Sequence, residues 1–198
     1  MSKAVMISIQ SKWVAEIASG NKTIEVRKTK PKLETPFKVY IYETYDKKYV
    51  NTGTYFFDTH INYVHKCSKV IGEFECDRID TYFYGEMKIP TPAYDGDDSC
   101  IDCGEGYYIT CGELKETCLT YEEFENYGKG RTLYGWHISN LVIYDKPKEL
   151  SEFCRNGECD KCGWFENGKC YKKSEQSTYN NHRIKRPPQS WCYVEEQK

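Results

Sequence analysis

The sequence lacks any run of the roughly 18 apolar residues that a membrane-spanning helix needs, and it opens without a hydrophobic signal region. A soluble, cytoplasmic protein with no membrane partner is expected. Net positive charge is missing as well. The formal charge is -2, which argues against strong duplex DNA binding, since that needs a broadly basic face. Apolar residues are sparse, at 39% with a mean hydropathy of -0.77, so a small core with polar insertions is expected. No internal repeat and no sharp break in composition interrupts the 198 residues, a length suited to a single domain over 1–198. Cysteine is the exception to this scarcity. Eleven cysteines in a reducing compartment point to metal binding or free thiols, not to disulfides.

The near-neutral total hides local asymmetry. Residues 95–125 hold ten acidic side chains against Lys115 alone, whereas 22–38 and 169–186 each hold six Lys/Arg. Either basic stretch suits a local phosphate-bearing ligand. The first contains the octapeptide Gly20-Asn21-Lys22-Thr23-Ile24-Glu25-Val26-Arg27. Ahead of it, Trp13, Val14, Ile17 and Ala18 make one apolar stripe of a short helix over 11–19, which Gly20 is placed to stop. Behind it, Ile24 to Lys28 alternate apolar and charged residues, the mark of a strand with one dry and one wet face. Glu25 and Arg27 then project to one side, about 7 Å apart. A carboxylate between two cations stays ionised and ordered, and the trio suits a phosphate, a base edge or a water. The plain alternative is a solvated face with an ion pair worth under about 1 kcal/mol.

Strands are expected over 4–9, 23–28, 37–43, 69–78, 134–144 and 190–195, several with the period of two that marks half-buried antiparallel strands. A second helix is expected at 120–127, with Thr120 and Glu123 as a capping box and Gly128 as its stop. This is an α+β pattern of five to six mostly antiparallel strands and two or more short helices, which fits a small closed β-barrel.

These segments also carry a family likeness. The spacing Gly-x-Lys-x-x-Glu-x-Arg over residues 20–27 resembles the signature of ASCH domains, PUA-like β-barrels associated with RNA and modified nucleotides. Val5–Ile9 resembles the family's first strand and Lys69–Phe74 a central one. Gly135–Ile138 with Leu141–Tyr144, then Arg186–Val194, resemble the closing strands of a phage and prophage branch. The likeness omits an acidic, cysteine-containing insertion at about 80–118 and a cysteine-rich one at about 154–172, with a mobile loop expected at 173–185.

Cys154, Cys159, Cys162 and Cys170 fall within seventeen residues around a Cys-x-x-Cys-Gly knuckle. Four soft ligands suit a closed, structural zinc site, and so polar an excursion would need a metal to fold. Cys100, Cys103, Cys111 and Cys118 repeat the knuckle less securely. One or two structural zinc ions per chain are expected, and a shared site pairing Cys100 and Cys103 with Cys159 and Cys162 also satisfies the spacing. Cys67, Cys76 and Cys192 read as core residues.

Lys22, Glu25 and Arg27 form the expected site core, joined by His137, Gln189 and Trp191 from the late strands, because first and last strands neighbour each other in a small barrel. Eighteen tyrosines add stacking faces. The leading reading is binding of RNA, a nucleotide or a modified base, without catalysis. The resemblance also raises an enzyme, an amidohydrolase acting on acetylcytidine or a related nucleoside or else a ribonuclease, with Lys22 in the family's lysine position. However, Glu25 stands where those relatives place a threonine nucleophile, so it would have to serve as a general base; Glu122, Glu123 and Glu125 are candidates for the partner carboxylate. A zinc-stapled protein-interaction module is a third reading.

Overall fold

The computed structural model describes residues 2–44, 68–86, 105–155, 165–166, 169–170 and 183–197. They divide into two compact units, one of Met1–Ala15, Phe37–Phe74 and Asn140–Lys198, the other of Glu16–Pro36 and Glu75–Ser139.

The first unit is organised by β1 (Lys3–Gln10), β3 (Phe37–Thr44), β4 (Val70–Cys76), β9 (Ser139–Lys148) and β12 (Trp191–Glu195), in the sheet order β12-β1-β3-β4-β9. β1 pairs antiparallel with β12, Ile7 facing Trp191, and parallel with β3, Val5 facing Val39. First and last strands are therefore neighbours, as expected. The five-stranded sheet shows no closing pair among the described residues, so the closed barrel expected from the sequence is not seen; the α+β class is. Interior position explains a second difference. β3 reads as half-wet, yet Tyr40 and Tyr42 are buried along with Phe37, Val39 and Ile41, because an interior strand covered on both faces has no solvent side. Gly72 is required in β4, since a Cβ there would sit 2.5 Å from the Val142 carbonyl oxygen. Ala4, Met6, Tyr40, Tyr42, Val70, Phe153, Ile184 and Val194 make the core of this unit. Ile184 lies within the loop expected to be mobile, while residues 173–182 of that loop fall outside the described residues. Leu150–Glu152 form a 3-10 turn, and β10 (Phe165–Glu166) pairs with β11 (Lys169–Cys170).

The second unit holds β2 (Ile24–Arg27), β5 (Ile79–Tyr82) and β8 (Leu133–His137) in the order β2-β8-β5. The expected strand 134–144 breaks into β8 and β9, with Asn140 at φ 47 just past the break. A hairpin of β6 (Tyr84–Glu86) and β7 (Glu105–Tyr107) and two helices, α2 (Cys111–Glu116) and α3 (Tyr121–Gly128), complete the unit. Ile24, Val26, Tyr82, Tyr107, Phe124 and Leu133 form its core, so the described part of the acidic insertion supplies core residues. The α3 capping box forms as expected between Thr120 and Glu123. Gly128, however, is the last helical residue, and Lys129 at φ 52 makes the stop. Gly128 is needed because a Cβ there would collide with the Tyr107 hydroxyl. α1 (Ser11–Ala18) buries Val14 and Ile17, and Gly20, at φ 79, donates its N–H to the Ile17 carbonyl at 3.0 Å.

A polar cluster ties three strands of the first sheet together. Glu73 on β4 accepts hydrogen bonds from Lys38 on β3, at 2.9 Å, and from the Tyr144 hydroxyl on β9. Burial alone would raise the Glu73 pKa, but the bonds from Tyr144 and Lys38 outweigh it and hold the group below the ordinary carboxylate value. The bond to Glu73 in turn raises Lys38 above the ordinary lysine value. Stability from the cluster should therefore be complete near neutral pH, be lost as pH falls through the lowered Glu73 value, and be lost again as pH rises through the raised Lys38 value. Glu73→Gln should cost about 1–2 kcal/mol at pH 7 and flatten the acid limb of a melting-temperature profile; an unchanged acid limb would contradict this assignment.

Candidate functional site

The turn between α1 and β2 is fixed by backbone bonds at both of its ends. Lys22 N–H donates to the Glu16 carbonyl and Thr23 N–H to the Glu116 carbonyl, each at 3.0 Å. The turn thereby sends the Lys22 side chain inward, where Nζ donates to the Thr117 carbonyl at 2.6 Å and lies 3.4 Å from Glu25 Oε2. Arg27 Nη2 meets the other Glu25 oxygen at 2.9 Å. Both carboxylate oxygens thus face a cation.

The trio is not on a wet face. Lys22, Glu25 and Arg27 are 3%, 6% and 8% exposed, and all four residues of β2 are buried. The sequence reading of a solvated strand face is corrected here, and with it the value expected of a surface ion pair. Two cations and one carboxylate meet in a nearly dry setting, where charge-assisted hydrogen bonds are strong and a lost partner is costly. Tyr127 adjoins this arrangement; burial raises its phenol, against the opposing pull of Arg27.

Register decides what else joins the site. Glu25 faces Trp136 and Arg27 faces Tyr134, whereas Ile24 faces His137. Paired residues share a face and neighbours along a strand alternate, so His137 lies on the opposite side of this sheet from Glu25. There it meets groups the sequence reading passed over. His137 Nε2 is 2.6 Å from Asp80 Oδ2, and Arg78 Nη2 is 3.1 Å from the same oxygen. Trp136 is fully buried, the core role that a strand tryptophan most often has. Gln189 and Trp191 belong to the first unit. Gln189 is exposed, and Trp191 packs edge-to-face on Tyr193 at 5.3 Å.

Thr117, whose carbonyl takes the Lys22 ammonium, was not foreseen, although a signal for its helix was present. Thr110 and Glu113 repeat the capping-box spacing that revealed α3, and the box forms at α2. Of the carboxylates proposed as hydrolytic partners, Glu122 and Glu123 are exposed and Glu123 is engaged in the α3 cap.

Among the cysteines, Cys118 and Cys154 are half-buried, and Cys111 is disulfide-bonded. Cys100, Cys103, Cys159 and Cys162 lie outside the described residues, as does Cys67. Cys170 has its backbone placed in β11. Cys76 is buried, which pushes its thiol up to about 12, and Cys192 is half-buried on β12. Among the described residues no group of three or more His, Cys, Asp or Glu side chains is arranged to hold a metal, and no helix is long and apolar enough to cross a membrane.

The ASCH domain family model matches residues 7–156. No curated protein matches the sequence. The chain is similar to the crystal structure of ASCH from Zymomonas mobilis, with 16% identity, 98% of this chain and 88% of that chain covered, and a TM-score of 0.49. A tyrosine-to-phenylalanine mutant of the same Zymomonas mobilis protein gives 16% identity, coverage of 98% and 92%, and a TM-score of 0.49. A serine-to-alanine mutant of it gives 16%, 98%, 89% and 0.48.

His137 Nε2 stands 2.6 Å from Asp80 Oδ2 and 2.9 Å from Arg78 Nη2. The carboxylate accepts a hydrogen bond from a protonated Nε2 whereas the guanidinium needs a lone pair there, and the closer approach of the carboxylate favours the Nε2–H form. Long-range nitrogen–proton NMR of the neutral ring should show the Nε2–H form, and Asp80→Ala should let it mix with the Nδ1–H form. A neutral His137 found as Nδ1–H in the wild type would contradict this geometry.

Proposed function

Because the chain belongs to the ASCH domain family, a PUA-like group that is generally RNA-binding, we propose that it binds RNA, a nucleotide or a modified base at Lys22, Glu25 and Arg27. One observation carries this reading: Glu25 is held between two buried cations, at 2.9 Å and 3.4 Å. That geometry holds a guanidinium and an ammonium in fixed directions on either side of one carboxylate. A phosphate oxygen or the carbonyl edge of a base meets donors that are already ordered, so little side-chain entropy is lost on binding. Arg27 is the most open of the three, with a tenth of its side chain exposed, and is the natural first contact. The planar fork suits bidentate recognition, which a lysine cannot reproduce.

Glu25 serves this site better as an orienting group than as a base. Each of its oxygens already faces a cation, and a general base must instead reach the proton that it removes. Glu25→Gln keeps the shape and one acceptor. It should change affinity for single-stranded RNA or a mononucleotide only modestly, with no turnover of acylated cytidine in either protein. Arg27→Ala should weaken the same binding by roughly 1–3 kcal/mol, and Arg27→Lys should recover only part of it. Lys22→Ala should lose a similar amount. Calorimetric titration of variants verified as folded by circular dichroism measures these changes. Variants that bind like the wild type would place the site elsewhere, and turnover abolished by Glu25→Gln would establish the hydrolytic reading instead.

We propose in addition that Cys154, Cys159, Cys162 and Cys170 hold one structural zinc ion. The Cys-x-x-Cys-Gly knuckle at 159–163 and the clustering of the four cysteines within seventeen residues carry this reading. Four sulfur ligands close a tetrahedral site and leave no position for substrate. Protein purified without chelator should carry at least one zinc per chain, and Cys162→Ser should release it and lower the melting temperature. Metal-free protein melting at the same temperature as the purified form would contradict the assignment.

A further inference from the structure

The chain leaving β2 carries cations outward from the buried trio. Lys28, Lys30 and Lys32 are all exposed while Pro31 between the last two is buried, so the segment is anchored and its lysines face solvent. No acidic residue falls between Val26 and Leu33. Two of these lysines lie over aromatic rings. Lys28 Nζ stands 4.8 Å from the centroid of Tyr127, and Lys30 Nζ stands 5.2 Å from that of Tyr134.

Both rings are tied to the trio. Tyr134 is the register partner of Arg27, and Tyr127 lies within electrostatic reach of Arg27 and Glu25. Tyr127 is 36% exposed and Tyr134 half-buried. Lys129 and Arg131, both exposed, lie in the turn that follows Tyr127 and Gly128.

We infer that Lys28, Lys30, Tyr127 and Tyr134 form an outer extension of the site, over which single-stranded RNA continues beyond the nucleotide held at Arg27. This rests on the nucleotide-binding reading of the trio. The chemistry of the surface selects the ligand. Ammonium groups on flexible stems contact successive phosphates, and a tyrosine ring offers a base a face on which to stack regardless of its identity. When a base takes the ring face, the lysine there moves to a phosphate, so each cation–aromatic pair exchanges one favourable contact for two. An acidic peptide would use the lysines but leave the rings without a role.

A uridine octamer and uridine monophosphate, titrated over a range of salt, distinguish the inner and outer parts. The double variant Lys28→Ala/Lys30→Ala should weaken the octamer by about two- to fivefold per lysine. It should also lower the salt slope by about 1.4, from two lost contacts of about 0.7 each, and leave the monophosphate unaffected. Tyr127→Ala should weaken the octamer about 5- to 150-fold, the range for loss of one stacked base, while Tyr127→Phe binds normally. An octamer bound by the double variant with wild-type affinity and slope, while Arg27→Ala weakens both ligands, would overturn the outer extension and leave the trio standing. Loss of neither ligand in Arg27→Ala would overturn both. Polyglutamate displacing the octamer, with Tyr127→Ala without effect, would assign the surface to an acidic protein segment and also overturn the proposal.

Discussion

A carboxylate buried between two cations constrains everything around it. Taking charged groups out of water costs several kcal/mol each unless partners replace the lost hydration, and Glu25 is 6% exposed. Arg27 and Lys22 supply that replacement, and Lys22 is in turn satisfied by the Thr117 carbonyl. The trio thereby depends on the end of α2, whose start is secured by the Thr110–Glu113 capping box. The backbone of the turn depends on the same helix through the bond from Thr23 to Glu116. A pair of local signals, one helix cap and one glycine stop, thus determines where a buried ammonium points.

The same constraint separates what the sheet can do on its two sides. Glu25 and Arg27 lie with Trp136 and Tyr134, and His137 lies with Asp80 on the other side. Gly135 faces the latter side, where a Cβ would come within 2.7 Å of the Tyr82 hydroxyl. A glycine at the centre of β8 admits the Tyr82 ring, which then packs on Phe124 at 5.4 Å. The Glu25 trio and the Tyr82–Phe124 packing therefore lie on opposite faces of a three-stranded sheet, and β2 at its edge contributes to both.

Much of this was legible in the residues. Alternation marked β2 to β4, and β1 and β12 fall on the strands expected at 4–9 and 190–195. The Thr120–Glu123 spacing marked α3, and Gly20 marked the end of α1. Lys22, Glu25 and Arg27 were legible as a cluster because the i, i+2 spacing of a strand puts Glu25 and Arg27 on one side. Their burial was not legible, because what covers a strand face is set by tertiary packing, and charged residues read as wet by default. Tyr40 and Tyr42 misled for the same reason. His137 was misplaced because sequence order does not reveal register, and a shift of one residue changes the face. Gly128 looked like a helix stop because its sterically required contact, the Tyr107 hydroxyl, is remote in sequence. The Thr110–Glu113 box was readable and went unread amid the acidic, cysteine-bearing stretch that surrounds it.

The proposed binding role requires that the Glu25-centred trio contact the ligand directly. The Arg27 Nε–Hε resonance, followed by nitrogen–proton NMR during titration with a short single-stranded RNA, tests it most directly, since this proton reports on the guanidinium itself. The account predicts a saturable shift of that signal, together with the amides of residues 22–27, at the same RNA concentration that saturates binding. Saturated binding with the Arg27 signal unmoved would contradict it.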